Sequence, residues 1–192
     1  MTHRPTRDEA LALLLEWNQS DRLVKHALGV EAVMRYMARQ RGEDEETWGI
    51  VGLVHDLDYE RHPQEHCQKT KEILEAREWP EEMVHAVLSH GFGLCTNVEP
   101  SREMEKVLYA VDELVGLVAA VAVVRPSRSV LDLEPSSVAK KWKDKSFAAG
   151  ASRDVIAKGA QMLGMDLRDL FADVILGMRE AADAIGLRGT LS

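Results

Sequence analysis

The stretch Gly49–Glu60, GIVGLVHDLDYE, sets an imidazole beside a carboxylate, His55 and Asp56, at the end of an apolar run of Ile50, Val51, Leu53 and Val54. A second acid, Asp58, follows in what reads as a turn. The apolar residues predict that the pair lies at the inner end of a buried helix, where an uncompensated carboxylate is costly. A buried acid next to an imidazole needs a partner, and a divalent cation is the usual one. His26 and Asp112 fall on inward positions of two other predicted helices. Nitrogen and oxygen donors of this kind suit a divalent transition metal such as Mn, Fe, Co, Ni or Zn. With four protein ligands, two positions of an octahedron stay open for water or substrate. A single histidine on an apolar face is more often a hydrogen-bonded core residue, so the reading rests on the four together.

The elements that must bring these residues together are helical throughout. Thr6 with Glu9 makes a capping box for a helix over about 7–17. Ser20 or Asp21 caps a second helix to about Gln40, whose inner face reads Leu23, His26, Val30, Val33 and Met37. A third is predicted over Glu43–Leu57, and Pro63 opens a fourth in which His66, Thr70, Ile73 and Leu74 share a face. The fifth follows Pro80 and ends at His90–Gly91. A sixth begins near Ser101, carries Leu108, Asp112, Val115 and Ala119 in one row, and stops at Arg125–Pro126. Three more are predicted over about 136–142, 152–163 and 166–185, before a tail expected to fray beyond Gly186. No stretch alternates as a strand must, and no linker divides the chain, so it reads as one all-α domain over residues 1–192.

Composition limits the function. The 192 residues are 45% apolar and 29% charged, as expected of a globular protein. A net charge of −8 speaks against a general nucleic-acid binder or an anionic-membrane binder. The N-terminal MTHRPTRDEA is polar with no hydrophobic region behind it, which predicts no secretory signal. The longest apolar stretch, 107–124, holds Asp112 and Glu113 and is expected to be a core helix, not a membrane span. Cys67 and Cys95 form no spacing motif and read as reduced, buried, inert thiols of a cytoplasmic protein.

The pattern H…HD…D, here His26, His55-Asp56 and Asp112, resembles the HD superfamily of metal-dependent phosphohydrolases over roughly residues 20–120. The resemblance implies an HD-domain helical bundle, with the helices at about 135–186 packed on it as additions. His66, which begins HCQKTKEIL, and His90, 24 residues on, are similar to further histidines of binuclear members. By that resemblance they bind a second metal bridged to the first by Asp56, or else contact substrate phosphate. One ion is expected, with a second as the alternative. Cyclic-dinucleotide phosphodiesterases of the superfamily carry His-His-Glu and Gly-Tyr-Pro signatures, whereas His90 is followed by Gly91, Phe92 and Gly93. The function implied is hydrolysis of a small phosphorylated substrate, with a nucleotide as first choice. The rivals are a di-iron oxygenase of the same fold and a catalytically silent interaction module.

The remaining candidates are weaker. Lys140, Lys141 and Lys143, with Lys145 close by, form a basic segment in an acidic chain and are candidates to hold substrate phosphate, against the plainer reading of a solvated face. Trp142 and Phe147 are expected to anchor that segment. Asp58 is read as a turn carboxylate or a proton acceptor, and Glu113 as facing solvent or a salt bridge. His3, His62 and His85 are expected at the surface.

Overall fold

Thr6 opens the first helix through the predicted capping box: its hydroxyl accepts from the Glu9 N–H, and the Glu9 carboxylate accepts from the Thr6 N–H at 2.7 Å. The structure, a computed structural model, describes residues 3–190. Among these the regular elements are α1 (Arg7–Trp17), α2 (Asp21–Arg41), α3 (Glu45–Val54), a 3-10 turn (Pro63–Glu65), α4 (Gln68–Ala76), α5 (Glu81–Ser89), α6 (Glu103–Val123), α7 (Pro135–Trp142), α8 (Arg153–Leu163) and α9 (Leu167–Glu180). The one β pairing among the described residues is an isolated bridge between Phe92 and Thr96. The fold is an all-α helical bundle, as expected. No described helix is long and apolar enough to cross a membrane.

The two longest helices, α2 and α6, are the scaffold. Their apolar stripes, including Val30, Val33, Met34 and Met37 on α2 and Leu108, Val111, Leu114 and Val118 on α6, are fully or almost fully buried. Helix α3 packs along α2, α8 along α6, and α9 along α2. The closest of these approaches depends on Gly159 of α8. A Cβ built there would lie 2.5 Å from the Ala110 Cα and 2.6 Å from the Ala110 Cβ, so the two backbones leave no room for a methyl group. Gly159→Ala is therefore expected to lower stability by about 1–3 kcal/mol, because backbone cannot yield as a side chain can. Urea unfolding with a lowered midpoint and an unchanged m-value is the check.

Three expectations are corrected. Helix α3 starts later and stops earlier than predicted, since Asp44 caps it and the chain turns repeatedly from His55 onward. Pro63 opens only a 3-10 turn, and the chain breaks at His66 and Cys67 before α4 starts. Cys67 has φ +69°, a left-handed conformation that no helix interior accepts. The tail does not fray over its described part. Leu187 is buried, its carbonyl accepts from the Val130 N–H, and the Thr190 N–H donates to the Ser127 carbonyl. The last two residues of that predicted tail, and the first two of the polar N-terminal stretch, lie outside the described residues.

Candidate metal centre

A helix end leaves the carbonyls of its last turn without intrahelical partners. Two of the predicted histidines use this. His55 is the C-cap of α3, and its Nδ1–H donates to the Gly52 carbonyl at 2.7 Å. His90 is the C-cap of α5, and its Nδ1–H donates to the Val87 carbonyl. A carbonyl can only accept, so the proton of each neutral ring is fixed on Nδ1 and Nε2 is turned forward as a lone pair. His66 reaches the same state through Asp58, whose Oδ1 lies 2.7 Å from its Nδ1. Asp58 is fully buried, and its Oδ2 accepts the Thr70 N–H at 2.8 Å. The turn carrying His55, Asp56 and Asp58 is pinned from outside: Asn18 donates to the Leu57 carbonyl, and the Glu60 carboxylate accepts from the Gln19 and Ser20 N–H groups.

The forward-facing atoms meet in two groups that share one residue. In the first, Asp112 Oδ1 lies 3.0 Å from His26 Nε2 and 3.2 Å from His55 Nε2. Asp56 Oδ2 lies 3.4 Å from His55 Nε2 and 3.8 Å from His26 Nε2. In the second, Asp56 turns its other oxygen, Oδ1, to within 3.4 Å of both His66 Nε2 and His90 Nε2. Those two ring nitrogens are 3.2 Å apart. Donors each ~2.1 Å from one ion, at angles near those of an octahedron or a tetrahedron, stand ~3.0–3.4 Å from each other. The second group has that spacing, as does the first apart from the 3.8 Å between Asp56 and His26, and both consist of ligand types suited to a divalent transition metal. The His66–His90 pair is the sharper test of fit. With both Nδ1 atoms protonated, two lone pairs would face each other across 3.2 Å unless a cation or a further proton lies between them.

The charges agree with this. Burial alone would lower the pKa of His55, but Asp56 and Asp112 outweigh it and hold the ring well above the usual imidazole value. Burial would likewise raise Asp56 and Asp112, yet the facing histidines hold both below the ordinary carboxylate range. His66 is raised against its burial, chiefly by Asp58. Glu113 is raised by burial and then by its neighbour Asp112.

All six residues predicted as ligands, His26, His55, Asp56, His66, His90 and Asp112, thus contribute an atom to one group or both. Lys140, Lys141 and Lys143 are not brought there: they stand on and just past α7, none lines the cavity over the two groups, and Lys141 Nζ sits 4.6 Å above the Phe147 ring. Trp142 anchors that segment against Phe171, with ring centroids 5.4 Å apart. Glu113 does not face open solvent. It lines the cavity and accepts the Ser152 N–H. The cavity, about 530 Å3, also has walls that sequence reasoning missed, among them Arg22, Tyr59, Gly116 and the segment around Ala148–Ala151. Two of these had a signal in the helical period: Arg22 is one turn before His26, and Gly116 is one turn after Asp112. The cysteines stand behind the second group, with Cys67 Sγ 2.6 Å from Cys95 Sγ and 4.0 Å from His90 Nε2. His66, Cys67 and Cys95 form a third set with ligand spacing, where buried, inert thiols were expected, and Cys95 is only half-buried.

The sequence pattern of the HD domain family matches residues 23–116, the segment that carries all six ligand candidates. Through it the chain belongs to the HD superfamily. Curated proteins and solved structures give no match to the chain. HD domains are commonly metal-dependent hydrolases, and this HD domain holds His/Asp groups that could bind a metal. Within it, Asp58 orients a histidine as carboxylates do behind metal-ligating imidazoles. In Asp58→Asn, if the amide oxygen keeps the Thr70 N–H, the amide NH2 faces His66 Nδ1 and forces the ring into the wrong tautomer. Calorimetric titration with Mn is expected to show a ten- to hundredfold loss of affinity (~10–100 for a displaced second-sphere partner) in whichever binding phase uses His66.

Proposed function

We propose that the protein is a metal-dependent phosphohydrolase acting on a small phosphomonoester or phosphodiester. Its family favours this reading, and one observation carries it: Asp56 offers one oxygen to His26 and His55 and the other to His66 and His90. His26, His55, Asp56 and Asp112 would hold one divalent cation. Asp56, His66 and His90 would hold a second, or take a substrate phosphate oxygen through the imidazoles. A cation bound there would supply hydroxide from water near neutral pH, by lowering the water's pKa toward ~7, and would offset charge building on the phosphoryl oxygens.

The chain's own residues do the rest. The Nδ1 partners of His55, His66 and His90 keep three Nε2 atoms aimed inward, so no ring reorganises during turnover. Arg22, exposed at the cavity wall and free of any ion pair among the described residues, is placed to receive a phosphate. Nucleotides are the substrate class that superfamily frequency favours.

Metal analysis of protein purified without chelators, followed by a phosphoester panel, tests the proposal. One or two equivalents of divalent metal are expected, with turnover that EDTA abolishes and Mn or Co restores. A metal-free protein that stays inert with Mn, Fe, Co, Ni or Zn would leave a silent interaction module. The four-imidazole, two-carboxylate donor set favours a second reading equally, a di-iron oxygenase. Iron content with oxygen uptake, and no turnover of any phosphoester, would select it.

A further inference from the structure

A second hollow, about 620 Å3, opens directly from the cavity over the two ligand groups. Arg22, His26, Gly116 and Ala148 line both. Beyond that shared neck most of the wall is apolar, with Val115, Ala119, Val123, Phe147, Met178 and Ile185, and the α2 side carries Asp21 and Lys25, paired with each other at 2.7 Å. The floor is one stripe of α6, because Asp112, Gly116, Ala119, Ala120 and Val123 recur at helical spacing. At its far end Val123 and Val124 remain 44% and 58% exposed.

Gly116 is where the two hollows join. A glycine inside a helix is less stable than alanine, so it usually makes room for something packed against it. Here a Cβ would have nothing within 4 Å. No part of the described fold uses the space, which is left as passage from Asp112 into the apolar groove. The cationic rim fits the same geometry. Arg22, unpaired among the described residues, stands at the neck where a phosphate attached to a chain in the groove would lie.

We infer that the substrate is a phosphorylated amphiphile whose phosphate sits over the two ligand groups and whose unbranched apolar chain passes Gly116 into the groove between α6, α2 and the C-terminal segment. This rests on the hydrolase reading and narrows it away from nucleotides, whose sugar and base would meet no polar partner along the α6 floor and, across from it, only the already paired Asp21 and Lys25. The run from Gly116 to Val123 is ~10 Å of helix at 1.5 Å per residue, a length matched by roughly eight methylenes in extended form. In the reaction water attacks phosphorus, the P–O bond to the chain breaks, and the alcohol leaves with a proton from water, giving inorganic phosphate without oxidant or reductant.

The test is a series of n-alkyl phosphates, methyl to decyl, with metal-loaded protein. The kcat/KM is expected to rise about two- to fourfold per methylene until roughly the eighth carbon, as each CH2 leaves water. In Gly116→Leu, which closes the neck, and in Val123→Glu, which charges the floor, the octyl-to-methyl ratio is expected to fall to near one. Calorimetric binding of the alkylphosphonates, which cannot be hydrolysed, separates the two readings. Chain-dependent binding lost in Gly116→Leu, with no ester turned over, would uphold the groove and sink the hydrolase. Turnover with no dependence on chain length would overturn the amphiphile and leave the hydrolase. A dimer in sedimentation that Val124→Lys dissociates, together with a flat chain series, would assign the groove to a second copy of the chain and also overturn it.

Discussion

Asp56→Ala is expected to abolish both metal retention and phosphoester turnover. Asp56 is the one residue that contributes an atom to both His/Asp groups, with Oδ2 toward His26 and His55 and Oδ1 toward His66 and His90. Removing it leaves four imidazoles and a single carboxylate, Asp112, so the first group loses a charged ligand and the second loses its only one. A fall in kcat/KM of more than about a thousandfold, or ~4 kcal/mol of transition-state stabilisation, is the expected size for losing a metal-dependent step. Metal analysis and the kinetics must move together. A chelated variant that still melts cooperatively, shifted no further than the loss of its charge interactions with the histidines accounts for, would place the effect on the metal and not on the fold. Asp56→Asn, which keeps shape and removes charge, should lose metal as well. Retention of metal and activity in either variant would refute the assignment.

The second large effect is a reversal of the pH dependence of stability when metal is removed. In the chelated protein His55 and His66 have pKa values raised against their burial by Asp56, Asp112 and Asp58. A raised histidine contributes stability that is complete below its unfolded pKa, about 6.5, and is lost as pH rises through the folded value. Asp56 and Asp112 are depressed, so their contribution is present above about 3.9 and is lost on acidification. From these groups, then, the metal-free protein is most stable between about pH 4 and 6.5 and weakens toward pH 8. With metal the slope changes sign, because the cation must displace the protons on His55 and His66. Its apparent affinity should fall about tenfold per unit decrease in pH for each proton displaced, and a hundredfold excess over Kd adds about 2.7 kcal/mol. Thermal melts at pH 5, 6.5 and 8, with EDTA and with Mn, are expected to diverge as pH rises. Parallel curves would mean that the imidazoles do not face a cation site.

Much of the centre was legible in the sequence for a local reason. Helical period assigns a residue to a face, so His26 and Asp112 could be placed inward, one turn from Arg22 and Gly116. The apolar run through Val54 likewise placed His55 and Asp56 at a buried helix end. The same rule misled at His66. Offsets of four, seven and eight to Thr70, Ile73 and Leu74 read as one helix face, but the chain breaks at Cys67, and His66 takes its aim from Asp58 instead. The lysines, for a related reason, take the plainer of their two readings. Charge density shows that a segment is basic, but not which way it faces, and α7 carries them away from the cavity.

The candidate ligands, their order along the chain and the placing of His26 on α2 and Asp112 on α6 were therefore readable from the residues alone, because helix formation and inward patterning are set by neighbours within a turn or two. Only the tertiary structure decided that Asp56 divides its oxygens between two groups, and that spent backbone carbonyls and a buried acid turn three histidines forward. It alone also left the floor beyond Asp112 open at Gly116. The ring contacts are short in sequence, three residues for His55 and His90 and eight for His66, but they form where helices end and the chain turns. Asp56 meets residues up to 34 away, and His26 meets Asp112 across 86, and periodicity along a single helix encodes neither.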